Sequence, residues 1–214
     1  MTNLKNWRFV IPLVIAACIL AAFLVSWSAQ SKKDAKQKMV MVWIDISDQS
    51  NETILLNSGL AFSSQRHCPP STRIRAYVFA HTFDVIYEGS SITSKGQFNQ
   101  AIGQRLDKPS AELGVPDTQT DLVLHEIASC DFGIQREAVI VTDGGIENLT
   151  PKMIERIRSD IQKMASDNQF VRLTVVGALQ EHRKRWESWL KPLGKRAVVR
   201  GRSDFKEVLD QVGR

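Results

Sequence analysis

The chain has 214 residues, 43% of them hydrophobic and 24% charged, with a formal net charge of +5. That composition excludes a disordered chain and leaves room for one ordinary domain plus an appendage. Three cysteines without a CxxC pair or a Cys/His cluster argue against a structural zinc site.

The first feature in chain order is an apolar run. Phe9 to Trp27 is 19 residues without a charge. At a helical rise of about 1.5 Å per residue it matches the hydrocarbon core of a bilayer, and Trp7 and Trp27 stand where indoles favour the interface. A cleaved signal peptide is the competing reading. The run is too long for a typical apolar core of such a peptide, and Trp27 spoils the small-residue cleavage context. The expectation is therefore a single-pass membrane protein of the plasma or inner membrane. It has a tail over 1–8, a transmembrane helix over 9–27 and a polar juxtamembrane linker over 28–38. Lys32, Lys33, Lys36 and Lys38 favour a cytoplasmic domain, whereas the short N-terminal tail favours a signal-anchor with the domain outside the cytoplasm. The second arrangement is the one expected.

From residue 39 the pattern becomes that of a folded domain extending to 214. Met39–Ile44 is a compact apolar run ending at Asp45, as in a strand buried on both faces. A partial helical stripe follows over 52–65. Arg73–Ala80 and Phe83–Tyr87 form two strands around a tight turn at His81 and Thr82. Phe98, Ile102 and Leu106 recur at helical spacing. Leu122–Ala128 reads as a helix and Ala138–Thr142 as a strand ending at Asp143. Met153, Ile157, Ile161 and Met164 mark one helix face, Leu173–Val176 a strand, and Trp186, Trp189 and Leu190 another helix. Ala197–Val199 gives a last strand, and Phe205, Val208, Leu209 and Val212 a closing helix. Strands alternating with helices predict an α/β fold: a doubly wound, mostly parallel sheet with one antiparallel edge strand and helices on both faces.

Ligands of such sheets bind outside the carboxyl ends of the strands. Three segments put oxygen-bearing side chains there. They are Asp45-Ile46-Ser47-Asp48-Gln49-Ser50 after the first strand, Thr120-Asp121-Leu122 opening a helix, and Thr142-Asp143-Gly144-Gly145 after a buried strand. Carboxylates and hydroxyls are the ligands that Mg²⁺ takes, usually with retained waters. The plainer alternative is that Asp45 and Asp143 cap loops and Thr120 caps its own helix.

Asp-x-Ser after strand one, Thr-Asp-Leu opening a helix and a strand closing in Thr-Asp-Gly occur here in that order. In this the chain resembles the von Willebrand factor A family, whose metal-ion-dependent adhesion site binds partner proteins; the resemblance covers about 39–214. It implies a divalent cation, Mg²⁺ or alternatively Mn²⁺ or Ca²⁺, held by Asp45, Ser47, Gln49, Thr120 and Asp143. It implies a partner protein whose acidic side chain completes the coordination, with Asp48, Asp121 and Gly144 at the partner-binding rim. Two residues depart from the family pattern: Gln49 stands where the first loop has its second serine, and Gln119 where glycine precedes the threonine.

Such a module is not expected to be an enzyme. Two rival readings remain: a metal-free scaffold subunit of a membrane complex, and a Mg²⁺-dependent phosphohydrolase with Asp45 as nucleophile. The second lacks the usual carboxylate two residues later, where Ser47 stands. His81, His125 and His182 are scattered over different elements with none placed beside a serine or cysteine as a base, and His67 next to Cys68 reads as a loop coincidence, so a hydrolytic triad has no support. Residues 172–202 carry nine Lys/Arg against two Glu, interleaved with Trp186 and Trp189. A solvated helix face with core tryptophans is expected there, rather than a nucleic-acid or lipid surface. Residues 107–119 are a candidate specificity loop. Cys68 and Cys130 are expected at the end of the sheet opposite the site, either bridged or as two thiols.

Overall fold

The computed structural model describes residues 38–47, 59, 61–62, 68–92, 94–98, 100–101, 119–130, 133–144 and 149–201. The apolar run 9–27, most of the stripe over 52–65, the loop 107–118, the closing segment 205–212 and the site candidates Asp48 and Gln49 lie outside the described residues. Among the described residues no helix is long and apolar enough to cross a membrane.

Among the described residues six strands form one sheet: β1 (Lys38–Asp45), β2 (Arg73–Phe79), β3 (Phe83–Ser90), β4 (Gln135–Val141), β5 (Phe170–Val176) and β6 (Ala197–Arg200). Their order is β3-β2-β1-β4-β5-β6. β1 pairs in parallel with both β2 and β4, β4 with β5 and β5 with β6, while β2 and β3 run antiparallel. This is the mostly parallel sheet with one antiparallel edge strand that the sequence predicts. Lys38, expected in the linker, already belongs to β1, where its ammonium meets the buried Glu137 at 2.7 Å. β4 likewise begins at Gln135, earlier than its apolar core indicates.

Alternation along β1 builds the two sides of the core. Met39, Met41 and Trp43 face one apolar cluster, and Val40, Val42 and Ile44 face the other. The first cluster is covered by α1 (Thr120–Ser129), α2 (Pro151–Ser166) and α3 (Gln180–Leu190), which contribute Leu124 and Ile127, Ile157 and Ile161, and Trp186 and Leu190. The second takes Ala61 and Phe98 from the opposite side of the sheet. Trp43 and Tyr77 stack across β1 and β2 with ring centroids 3.8 Å apart.

Local chemistry fixes the helix ends. Thr150 accepts a hydrogen bond from the Met153 amide at 3.3 Å, and Pro151 follows at the first turn of α2. At the other end, Arg196 donates to the carbonyls of Ala165, Asp167 and Phe170, satisfying acceptors that the helix terminus leaves open. Arg156 reaches Asp121 at 3.1 Å and His125 reaches Asp160 at 3.2 Å, so two polar pairs join α1 to α2.

Cys68 and Cys130 are separate thiols. Cys68 belongs to the second apolar cluster and Cys130 packs against the first, so the sheet lies between them and prevents a bridge. Burial pushes the Cys68 thiol up to about 12 and that of Cys130 up to about 11, which leaves little thiolate at neutral pH. Trp186 is fully buried and Trp189 packs edge-on against it, so these tryptophans serve the core as expected.

Ile161 is wholly enclosed whereas Lys163 on the same helix is exposed. Ile161→Ala is therefore expected to lower unfolding free energy by about 2–5 kcal/mol, and Lys163→Ala by less than about 0.5 kcal/mol. Urea denaturation followed by tryptophan fluorescence measures both.

Candidate functional site

The carboxyl ends of β1 and β4 meet at one buried carboxylate. Asp45 is the last residue of β1 and is only 4% exposed. Its Oδ1 accepts from the Ser47 amide at 2.9 Å and from the Ser47 hydroxyl at 2.7 Å. Its Oδ2 accepts from the Thr142 hydroxyl at 2.6 Å. Thr142 in turn accepts from the Gly144 amide at 2.9 Å, so the loop after β4 is folded back onto the same oxygen that holds Asp45.

Backbone contacts bring the third segment to this corner. Asp45 stands beside Phe79 in the β1–β2 register, and the Ile46 amide donates to the Phe79 carbonyl at 2.9 Å. One residue further on, the Ala80 carbonyl accepts from the Gln119 amide at 2.9 Å. Thr120, buried, therefore starts α1 at the top of the sheet, next to the end of β2. The Gln119 side chain also meets His81 Nδ1 at 3.0 Å, closing the outer rim. On the other flank the Leu179 amide donates to the Asp143 carbonyl at 2.7 Å, tying the β4 loop to the start of α3.

The structure thus gathers the stretches around positions 45, 120 and 143 at one edge of the sheet. Asp143 is half-buried at the mouth and Ser47 half-buried beside it. Two residues expected at the partner-binding rim are placed inside instead. The Asp121 carboxylate is buried and turned to Arg156 of α2. Gly144 is buried with φ +91°, and a Cβ there would stand 3.0 Å from His182 Cβ and 3.3 Å from Trp186 Nε1. Both have structural tasks: one fixes α1 on α2, the other lets the loop pass under α3. Thr142 was legible only as part of a Thr-Asp-Gly string, yet its hydroxyl is the direct link between two strands.

Electrostatics set the character of the corner. Burial raises the Asp45 carboxyl from 3.8 to about 6; the hydrogen bonds from Thr142 and Ser47 oppose the shift, and the charge of Asp143 adds to it. The donor set fits a hard divalent ion. It offers the oxygens of two carboxylates, Asp45 and Asp143, together with the hydroxyls of Ser47 and Thr120, and no soft ligand. Among the described residues no three His, Cys, Asp or Glu side chains cluster around one cation position, so water would have to supply much of the coordination. A six-to-eight-oxygen Ca²⁺ cage is correspondingly a poorer match than an aquated Mg²⁺.

Comparisons with known proteins agree with this architecture. No protein-family model matches the chain, and no curated protein matches it in sequence. Among solved structures it is similar to a von Willebrand factor type A protein from Catenulispora acidiphila, with TM-score 0.55 and 13% identity over 83% of this chain and 42% of that one. An aerotolerance-related membrane protein from Bacteroides fragilis superposes with TM-score 0.51 and 14% identity, covering 82% of this chain and 96% of that one. The ArnB paralog VWA2 from Sulfolobus acidocaldarius gives TM-score 0.50 and 18% identity over 83% and 44%. The chain spans less than half the length of the first and third of these. At such identities the likeness shows the fold, which is that of von Willebrand factor A domains.

Two outcomes test the geometry. The folded Asp45 carboxyl holds its proton up to about pH 6, whereas the unfolded one releases it near 3.8. Its contribution to stability is therefore full below about pH 3.8, declines as pH rises to about 6, and stays at its minimum above that. Asp45→Asn removes that decline. Measured in chelator by urea denaturation, its unfolding free energy should gain on the wild type between about pH 4 and 6, by on the order of 3 kcal/mol, and then run parallel. Gly144→Ala should cost about 1–3 kcal/mol, because its φ is unfavourable and its Cβ meets α3; thermal unfolding reads this.

Proposed function

We propose that this chain is a membrane-tethered protein-interaction module that presents a divalent cation, Mg²⁺ first among candidates, at the Asp45 corner. A partner's carboxylate would complete the coordination. The observation that carries the reading is the convergence of Asp45, Ser47, Thr120 and Asp143 on the carboxyl edge of a von Willebrand factor A-like sheet. Ser47 and Thr120 would offer hydroxyl oxygens, while Asp45 and Asp143 would hold the ion's waters. Gln49 would add its amide oxygen. The cation would supply a positive charge beside the buried Asp45 carboxylate and its neighbour Asp143. A similar fold in proteins described as membrane proteins supports the tether, for which residues 9–27 are the anchor and the following polar stretch the linker.

Asp45 as a phosphohydrolase nucleophile is disfavoured by its own contacts. Both of its oxygens are engaged by Ser47 and Thr142, and the side chain is enclosed. A metal-free scaffold is the second reading. It is favoured by the way Ser47 and Thr142 already satisfy Asp45, and by Gln119, whose side chain is committed to His81.

Calorimetric titration of the full chain with Mg²⁺ separates these readings. The wild type should bind one ion, and Asp45→Ala/Asp143→Ala should bind none. Equal heats from both proteins would remove the cation. Partner capture from solubilised membranes should be lost in chelator; capture indifferent to chelator would favour the metal-free scaffold.

A further inference from the structure

The geometry points to the free side of β6, with the adjoining end of α3, as a docking groove for an extended acidic segment of a partner protein. This surface is built from residues outside the Asp45 corner, and it stands whether or not a cation binds there.

β6 is the last strand in the sheet order, so its outer backbone edge has no strand beside it among the described residues. An open groove of about 250 Å³ is lined by Glu187, Leu190, Lys191, Gly194 and the whole of β6. Its floor is apolar: Leu190 and Val199 are buried, and Ala197 and Val198 are half-buried. Lys191 and Arg200 are among its lining residues, and Lys195, on the same stretch as Gly194, is exposed. The acid on the rim, Glu187, is already engaged by Arg183 at 3.0 Å. Among the described lining residues, Lys191 and Arg200 stand against the single acid Glu187.

These features select the occupant. A strand edge offers main-chain donors and acceptors to another extended strand; the outward Val199 carbonyl already accepts from Arg200 Nη1 at 3.2 Å, a bond that an incoming strand would replace. The apolar floor accepts alternate side chains of that strand. Lys191 and Arg200 in the lining favour acidic residues on that segment and repel basic ones. A second copy of this chain fits poorly: antiparallel pairing of two β6 strands would bring both sets of Lys191, Lys195 and Arg200 together, where like charges oppose pairing.

The test uses the full chain in detergent micelles and a fluorescently labelled alternating Val-Glu peptide, with an alternating Val-Lys peptide as control. Fluorescence anisotropy should show saturable binding of the acidic peptide only, unchanged by chelator. Lys191→Glu/Arg200→Glu should weaken it about tenfold or more. Hydrogen exchange of the wild type, which does not depend on any variant folding, should show slowed amides within Ala197–Arg200 when the peptide is present. The proposal is overturned by absence of saturable binding, by equal binding of the basic peptide, or by affinity unchanged in the double variant. It is also overturned if protection falls elsewhere, or if binding appears only after residues 203–214 are removed, which would make the chain's own tail the occupant.

Discussion

The hydrogen bond from Thr142 to Asp45 joins residues 97 positions apart and closes the carboxyl ends of the two central strands around one buried carboxylate. Everything at the upper edge of the sheet follows from it. Enclosing a carboxylate is costly unless donors surround it, and here Ser47 and Thr142 supply three. Those donors fix the loop after β1 and the loop after β4 against each other. Gly144 then turns under α3, and the Asp143 carbonyl receives the Leu179 amide at the start of that helix. The corner is therefore preorganised by its own hydrogen bonds.

The two ends of the sheet do different work. At the lower end, charges are neutralised in place: Lys38 meets Glu137, Arg136 meets Asp167, and Arg196 closes the carbonyls behind α2. The upper end instead keeps a carboxylate pushed up to about 6, a second carboxylate close enough to raise it, and half-buried oxygens at the mouth. The proposed cation belongs at this upper end because that is where the buried Asp45 carboxylate and Asp143 lie close together.

Most of the fold was legible because its signals are periodic. Met39–Ile44 reads as a strand enclosed on both faces, and the structure splits it between two apolar clusters. Ile157, Ile161 and Met164 read as a helix face and are buried as one. The turn at His81 and Thr82 announced the single antiparallel pair. Strand ends were less legible: Lys38 and Gln135 are polar, and only their cross-strand pairing makes them part of β1 and β4. At the site, spacing identified the loops, but not which atoms face inward. Asp121 and Gly144 share the strings that mark the corner, yet Arg156 and Trp186, distant in sequence, decide that one is turned to α2 and the other covered by α3. The two cysteines could not be assigned from spacing either, because the sheet that separates them exists only after folding.

The account is tested most directly by replacing Mg²⁺ with paramagnetic Mn²⁺ and recording amide resonances of the isotope-labelled full chain in micelles. If an ion sits at the corner, substoichiometric Mn²⁺ will broaden Ser47, Thr120 and Asp143–Gly144 selectively, leave Lys38 and Arg196 sharp, and spare the Asp45→Ala variant. Uniform broadening, or broadening centred elsewhere and indifferent to Asp45, would contradict a cation at this edge of the sheet.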